Sequence, residues 1–426
     1  MSIDIRSTRE VTAPVESPTG LRFARSAALI TLFLLASRQF LGEGVTLGHV
    51  AALLTAPLWL PALKRTVGCV WIGIGCAVAA IASVWLTIAA SADHAWTMNS
   101  LVADTVLIAG AGVAIGVLVW AREVLPLWLV GLVYGIGMLV AALTRSDPFG
   151  VNAWKFALAI PVAIIALSLA HRSGRRWVDI AVLVALGAVS AGLDSRSYFG
   201  EFVIAALLVA WQLLPARRRR RGAAARVIGL FGVVAVAVYY AGTALLVSGL
   251  LGAHTAERSI DQIRRAGSII AGGRPEMGGT AALFLSRPFG FGGGTQANNA
   301  DVQTAKAGMA RLHYDSTNDS YVEHFLFGRS KIELHSSVGD LWAYAGFAGI
   351  AFGVILVVLL LVVVGHGIAG RTASGVVLFL VVDSLWNCFF NPLYGSTPIL
   401  VLALGLGLAH RSRSAAANDS VVIPSG

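Results

Sequence analysis

The sequence predicts an all-α, polytopic membrane protein with about twelve transmembrane helices and one large external loop between the ninth and the tenth. Three observations carry this. The 426-residue chain is 57% hydrophobic and only 13% charged, whereas soluble domains are about a quarter charged. Its mean hydropathy is +0.76. Apolar runs of roughly 18 to 25 residues recur along it, long enough to cross a bilayer core as helices. Helices satisfy their own backbone hydrogen bonds in lipid, and the alternation of an outer-membrane barrel is absent.

Taken in order, the first 22 residues are polar and rich in Ser, Thr and Pro, so the first apolar run reads as a retained span and not a cleaved signal. Spans are expected at 24–41, 46–63, 68–90, 101–121, 124–143, 153–171, 177–193, 198–214 and 227–250, then at 338–365, 372–390 and 395–410. Pro57 and Pro61 interrupt the second. The chain therefore divides into an N-terminal bundle (1–250), the loop (251–337) and a C-terminal bundle (338–426). Cys69, Cys76 and Cys388 lie inside apolar runs and read as small buried hydrophobes, not disulfide partners.

The net charge of +10 is placed as topology, not as a nucleic-acid surface. Lys64 and Arg65, Arg122, the 171–176 cluster, Arg217 to Arg221, Arg371, Arg411 and Arg413 all fall on one side if the spans alternate. That side should be cytoplasmic, with both termini, and Arg217 to Arg221 also suit contact with anionic lipid. The opposite side receives the 91–100 and 144–152 loops, the Asp194–Arg196 turn, the 251–337 loop and 391–396. Nine basic and eight acidic residues nearly balance in the long loop.

Within that loop, Ala256 to Ile270 has the helical spacing of an interfacial amphipathic helix, through Ile260, Ile263, Ile269 and Ile270. Met277 to Leu285 is a second helix candidate, Gly290 to Gly294 a turn or close-approach loop. Thr295 to Ser330 shows no clear period, and no internal repeat stands out.

Three features of the same side carry chemistry. Arg196, in Asp194-Ser195-Arg196-Ser197, stands where a guanidinium reaches the headgroup layer and a phosphate; an ordinary snorkelling arginine is the alternative. Arg274 is followed by Arg287-Pro288-Phe289-Gly290-Phe291-Gly292-Gly293-Gly294, where arginine forks and glycine backbone N–H groups suit an anion. No Gly-Lys-Ser/Thr follows, so this is not a nucleotide P-loop. His335-Ser336-Ser337 stands where the loop re-enters the membrane. A neutral imidazole there can take a proton from a sugar hydroxyl, and a serine there can equally cap a helix.

His254, His313 and His324 lack metal-ligand spacing, so no metal site is expected. Asp315, Asp319 and Glu323 suit a solvated helix face better than a carboxylate pair. Asp104, Asp179 and Glu201 lie near span ends, whereas Asp383 is the deepest ionisable residue, a functional group or an interhelical hydrogen-bond partner.

These motifs, in this order and on one side, resemble the O-antigen ligase and polymerase superfamily of polytopic, GT-C-type glycosyltransferases. Ser195-Arg196 is similar to that family's Ser-Arg before the loop. Arg274 with Pro288-Phe-Gly290-Phe-Gly292 resembles its Arg and Pro-x-x-Gly-x-Gly pair. His335-Ser336 with Gly346-Phe-Ala-Gly349 resembles its helix-heading His motif. Gly278 stands where the family often has tryptophan, and Ser336 where asparagine is commoner.

The resemblance implies a cofactor-free, metal-independent, inverting enzyme of the bacterial cytoplasmic membrane. It would move a glycan from a polyprenyl-diphosphate donor such as undecaprenyl diphosphate to an acceptor hydroxyl on an envelope glycan or lipid. Arg196, Arg274 and Arg287 would stabilise the leaving diphosphate, His335 would be the general base, and Gly290, Gly292 and Ser336 would position the donor and the loop. Membrane lipids are expected partners and nucleic acid is not. A repeat-unit polymerase of the same superfamily, a transporter of an anionic solute or lipid-linked sugar, and an envelope scaffold are the alternatives.

Overall fold

The computed structural model describes residues 18–144, 150, 152–214, 223–250, 252–315, 322 and 331–409. Each of the twelve expected apolar segments holds helix: α1 (Pro18–Ser37), α2 (Leu47–Leu54) with α3 (Ala56–Arg65), α4 (Cys69–Ala90), α5 (Met98–Val124), α6 (Leu127–Leu143), α7 (Ala159–Arg172, entered through a π-helical turn at Trp154–Leu158), α8 (Arg176–Gly192), α9 (Arg196–Trp211) and α10 (Ala223–Val247). The last three are α15 (Ser337–Ala369), α16 (Gly375–Phe390) and α17 (Leu393–Gly407). Between them the long loop folds into α11 (Ala253–Ala266), α12 (Ile269–Gly273), α13 (Glu276–Ser286) and α14 (Asn299–Ala310). One short hairpin, β1 (Phe40–Gly42) with β2 (Val45–Thr46), is the sheet among the described residues.

Six of these helices are long and apolar enough to cross a membrane, and α2 with α3, bent by 78°, would make a seventh if the pair is one span. The bend falls at Thr55, two residues before Pro57, because proline removes an N–H and crowds the turn before it. The helices α6, α16 and α17 are apolar but of 17, 16 and 15 residues. At about 1.5 Å per residue they fall short of a full hydrocarbon core.

The helix faces are those of a lipid-embedded bundle. On α4 the large side chains Trp71, Ile74, Val78, Ile81, Trp85 and Ile88 are exposed, while Cys76, Ala79, Ser83 and Thr87 are buried. Lipid rewards no segregation of large apolar groups, so small and polar residues take the helix contacts. The helix α5 lies centrally, packed on α1, α3, α4 and α17. At the periphery, α10 rests on α9, α11 and α15. The three cysteines are buried, and none forms a disulfide among the described residues.

The loop departs from expectation in two respects. Residues 299–310 form α14, opened by an Asn298 and Asp301 capping box, where no period was expected. The anticipated helix over 256–270 ends at Gly267 in a left-handed cap and restarts at Ser268 as α12. The helices α13 and α14 cross backbone to backbone at Gly278 and Gly308, where an added Cβ would lie 2.4 and 2.1 Å from the opposite carbonyl oxygen. A large side chain has no room at position 278. Arg217 to Arg221, Asp319, Glu323, His324, Arg411 and Arg413 lie outside the described residues.

Candidate active site

The glycine stretch is a buried wedge between helices. Gly290 N donates to Arg287 O at 3.0 Å, and Phe291 N and Gly292 N donate to Ala343 O at 2.8 and 2.9 Å. Gly293 N donates to Ser83 Oγ at 3.1 Å, and Gly294 N to Asp104 Oδ2 at 2.9 Å. Every N–H from 290 to 294 is thus taken within the protein, and none points at a ligand. The donor contact expected of Gly290 and Gly292 gives way to loop positioning. The reason is space: Gly290, Gly292 and Gly294 have φ of +82°, +97° and +70°, and a Cβ at any of them would lie within 2.5 Å of neighbouring backbone. Phe289 is accommodated by a break in α15 at Gly346, whose φ and ψ are 57° and −138°.

Arg287 anchors this wedge. Its Nε donates to Gly290 O at 3.0 Å, while Nη1 and Nη2 grip Asp93 at 2.8 and 3.3 Å. The guanidinium also lies over the Phe291 ring, 5.2 Å from its centroid. The hydrogen bonds from Arg287, then from His94, hold the Asp93 carboxyl well below the usual carboxylate range. A guanidinium so engaged is a structural clasp, with its hydrogen bonds spent on the loop and not free for the diphosphate expected of Arg287.

His94, whose side chain is 2% exposed, bridges Asp93 Oδ1 at 2.7 Å and Asp301 Oδ2 at 2.8 Å. It ties the α4–α5 loop to the head of α14. Both ring nitrogens face carboxylates, with Arg287 Nη1 and Asn298 Nδ2 also close to them at 3.3 and 3.2 Å. Replacing His94 by Ala should lower stability by about 2 kcal/mol, read as a lower unfolding temperature. Faster amide exchange over 290–297 should accompany it. Asp93→Asn should remove the part of that anchoring which depends on a lowered carboxyl. Because the folded value is depressed, the wild-type contribution is present above the ordinary Asp range and fades as pH falls through the folded value.

The arginines expected from sequence divide into two groups. Arg196 is the first residue of α9, after a left-handed Asp194 with φ of 50°. Its Nη1 donates to Ser259 Oγ at 3.0 Å, and its Nε lies 3.7 Å from Asp194. Arg258 Nη2 grips both oxygens of Asp194, at 3.1 and 2.8 Å. Lys155, in the π-helical turn before α7, lies within electrostatic reach of Arg196, Arg258, Arg274 and Asp194. Arg274, at the end of α12, has Glu276 at 3.5 Å.

Four cations from separate segments therefore converge, with Asp194 and Glu276 as the carboxylates salt-bridged to them among the described residues. Arg258 Nε is buried with no acceptor among the described residues, and so is the neighbouring Ser195 Oγ without a partner. An anion is the group that satisfies such donors. Lys155 and Arg258 escaped the sequence reading, the first because it sits in an apolar run, the second because one arginine on an amphipathic helix is unremarkable without its neighbours.

His335 stands just before α15 in a left-handed backbone conformation, φ 52°, uncommon for a residue with a Cβ. Both flanks hold it there. Asp340 accepts from Leu334 N and Leu393 N, each at 2.7 Å. Ser336 caps α15 by accepting from Gly339 N at 3.1 Å and donates to Cys388 O at 3.0 Å. Ser337 Oγ donates to Asn387 O on α16 and to Asn391 O just past its end. Capping and loop placement are thus what Ser336 does, and His335 is presented on a rigid turn.

Asp383 is fully buried on α16 and accepts from Asn387 Nδ2 at 2.6 Å; Asn387 in turn accepts from Asn391 Nδ2. Among the described residues, no group of three or more His, Cys, Asp or Glu is gathered as for a metal ion. Comparison with family models, curated proteins and solved structures finds no match for this chain.

Proposed function

We propose that this chain is a membrane glycosyltransferase of the O-antigen ligase kind. It moves a glycan from a polyprenyl-diphosphate donor to an acceptor hydroxyl at the membrane face that carries the 251–337 segment. Twelve crossings, cytoplasmic termini and a bacterial cytoplasmic membrane belong to the same proposal. The observation that carries it is the convergence of Lys155, Arg196, Arg258 and Arg274, more cationic than its carboxylates neutralise. A leaving diphosphate develops negative charge, and preorganised guanidinium groups stabilise it without reorganising during the step.

In this reading Arg196 and Arg274 hold the diphosphate, with Arg258 and Lys155 beside them. His335 takes the proton from the acceptor hydroxyl as its oxygen attacks the anomeric carbon, and the diphosphate leaves from the opposite face with the bonding pair. Left-handed backbone at His335, pinned by Asp340 and Ser336, supplies the fixed geometry that general-base catalysis needs.

The test is glycan transfer in proteoliposomes with a polyprenyl-diphosphate glycan and envelope acceptors, in EDTA. Wild-type transfer that is lost in His335→Ala at normal folding is the expected result. Transfer at the wild-type rate by His335→Ala removes the proposed base. A second reading, transport of an anionic solute or lipid-linked sugar, is favoured by the buried carboxyls Glu201 and Asp383 inside the helical bundle. Substrate uptake without any transfer would select it.

A further inference from the structure

Two buried carboxyls that the transfer chemistry above does not use lie beneath the cation cluster. Glu201 on α9 is 3% exposed and Asp383 on α16 is 0% exposed. The two helices are locked at this level by Phe202 stacked on Phe379, ring centroids 4.6 Å apart. Their carboxyl groups face each other within hydrogen-bonding reach. No N–H or hydroxyl of the described residues reaches either oxygen of Glu201, and Asp383 Oδ1 is equally without a donor. Two carboxylates in contact in a dry site cannot both be ionised. One proton between them supplies the hydrogen bond that no neighbour supplies.

Among the described residues, Arg274 is the cation within reach of Glu201, and Tyr198, one turn back on α9, feels both carboxyls and Arg274. Asn387 donates to Asp383. Glu201 stands five residues into α9 from Arg196, about 8 Å along the axis at ~1.5 Å per residue. Arg274 therefore serves two anionic partners, the pair below it and whatever anion the cluster holds.

We propose that the Glu201–Asp383 pair is a proton site coupled to the anion site, taking up a proton from solution when a diphosphate binds at Arg196 and Arg274. The anion site is the one proposed above, so this inference rests on that reading. Unliganded, the pair carries one proton and one negative charge, with Arg274 as counter-ion. A bound diphosphate claims Arg274 and adds negative charge nearby. At an effective dielectric of ~20, each charge placed about 9 Å away raises proton affinity about tenfold or more. A second proton then neutralises the pair. By linkage, uptake of a proton on binding makes affinity fall as pH rises.

The experiment is calorimetric titration of the full chain in lipid nanodiscs with inorganic diphosphate, in buffers of different ionisation heat, which counts protons taken up per anion bound. Wild type should take up a sizeable fraction of one proton near neutral pH. Its affinity should fall several-fold more steeply than that of Glu201→Gln between about pH 6 and 8. Comparison with Glu201→Gln cancels the titration of diphosphate itself. Asp383→Asn should match Glu201→Gln, and both amides keep a hydrogen-bonded pair. Equal uptake in wild type and in both variants overturns the coupling. Failure of diphosphate to bind wild type at any pH overturns the anion site as well, which separates the two failures.

Discussion

Arg274→Ala should slow glycan transfer by about 100- to 1,000-fold while leaving thermal unfolding nearly unchanged; Arg287→Ala should do the reverse. The two arginines stand thirteen positions apart in one glycine-containing stretch yet differ in what they touch. Arg274 has a long contact of 3.5 Å to Glu276 and otherwise faces the cluster of Lys155, Arg196 and Arg258. Its truncation removes little folded-state bonding and one preorganised cation.

Arg287 binds Gly290 O, grips Asp93 and covers Phe291. Losing it leaves the Gly290 carbonyl without its donor and Asp93 with His94 alone, a loss of about 1–2 kcal/mol. Transfer rate per folded molecule, measured beside the unfolding temperature, separates these outcomes. Wild-type transfer by Arg274→Ala would strip it of the diphosphate role. Loss of transfer by a fully stable Arg287→Ala would return that residue to the site.

Gly292→Ala should destabilise by about 3 kcal/mol or more, enough to abolish a well-folded product. Its φ is +97°, and a Cβ would lie 2.3 Å from Thr87 N, 2.6 Å from Thr87 Cα and 2.6 Å from Thr87 Oγ1. The atoms in the way belong mostly to the backbone of α4, which is itself held by its neighbours, so neither side can yield cheaply. Gly267→Ala is the control. Its φ of +74° is similarly left-handed, but nothing lies within 4 Å of the added carbon, and only the conformational cost of about 1 kcal/mol remains. Detergent-solubilised thermal unfolding of the two variants measures the difference. Equal stabilities would mean that the glycine stretch is not wedged against α4.

Local pattern carried the fold class well. Apolar run length located helix in each of the twelve expected segments, the second as a pair bent by 78° and not one straight span, and Ile260 with Ile263 marked the amphipathic α11. The head of α14 was legible too, as the Asn298-x-x-Asp301 box, but its weakly apolar sequence lacks the period that attracts notice. The candidate residues were legible as types and not as roles. Arg196 and Arg274 share a cluster with Lys155 and Arg258. Arg287 reaches Asp93, 194 positions earlier, and so becomes a clasp. Glu201, read as a span-end carboxylate, faces Asp383 across a helix contact.

The sequence by itself determined that the chain is helical and membrane-embedded, and which arginines, glycines and histidine interrupt its apolar runs. That follows because backbone satisfaction in lipid and side-chain period are local properties, written within a few turns of helix. Only the tertiary structure decided which of those residues gather in one cationic cluster, which brace the loop and which buried carboxyls face each other. A charged group's role depends on the burial and charges within a few ångströms of it. Those neighbours come from segments up to about two hundred positions away, brought together by packing that no local window contains.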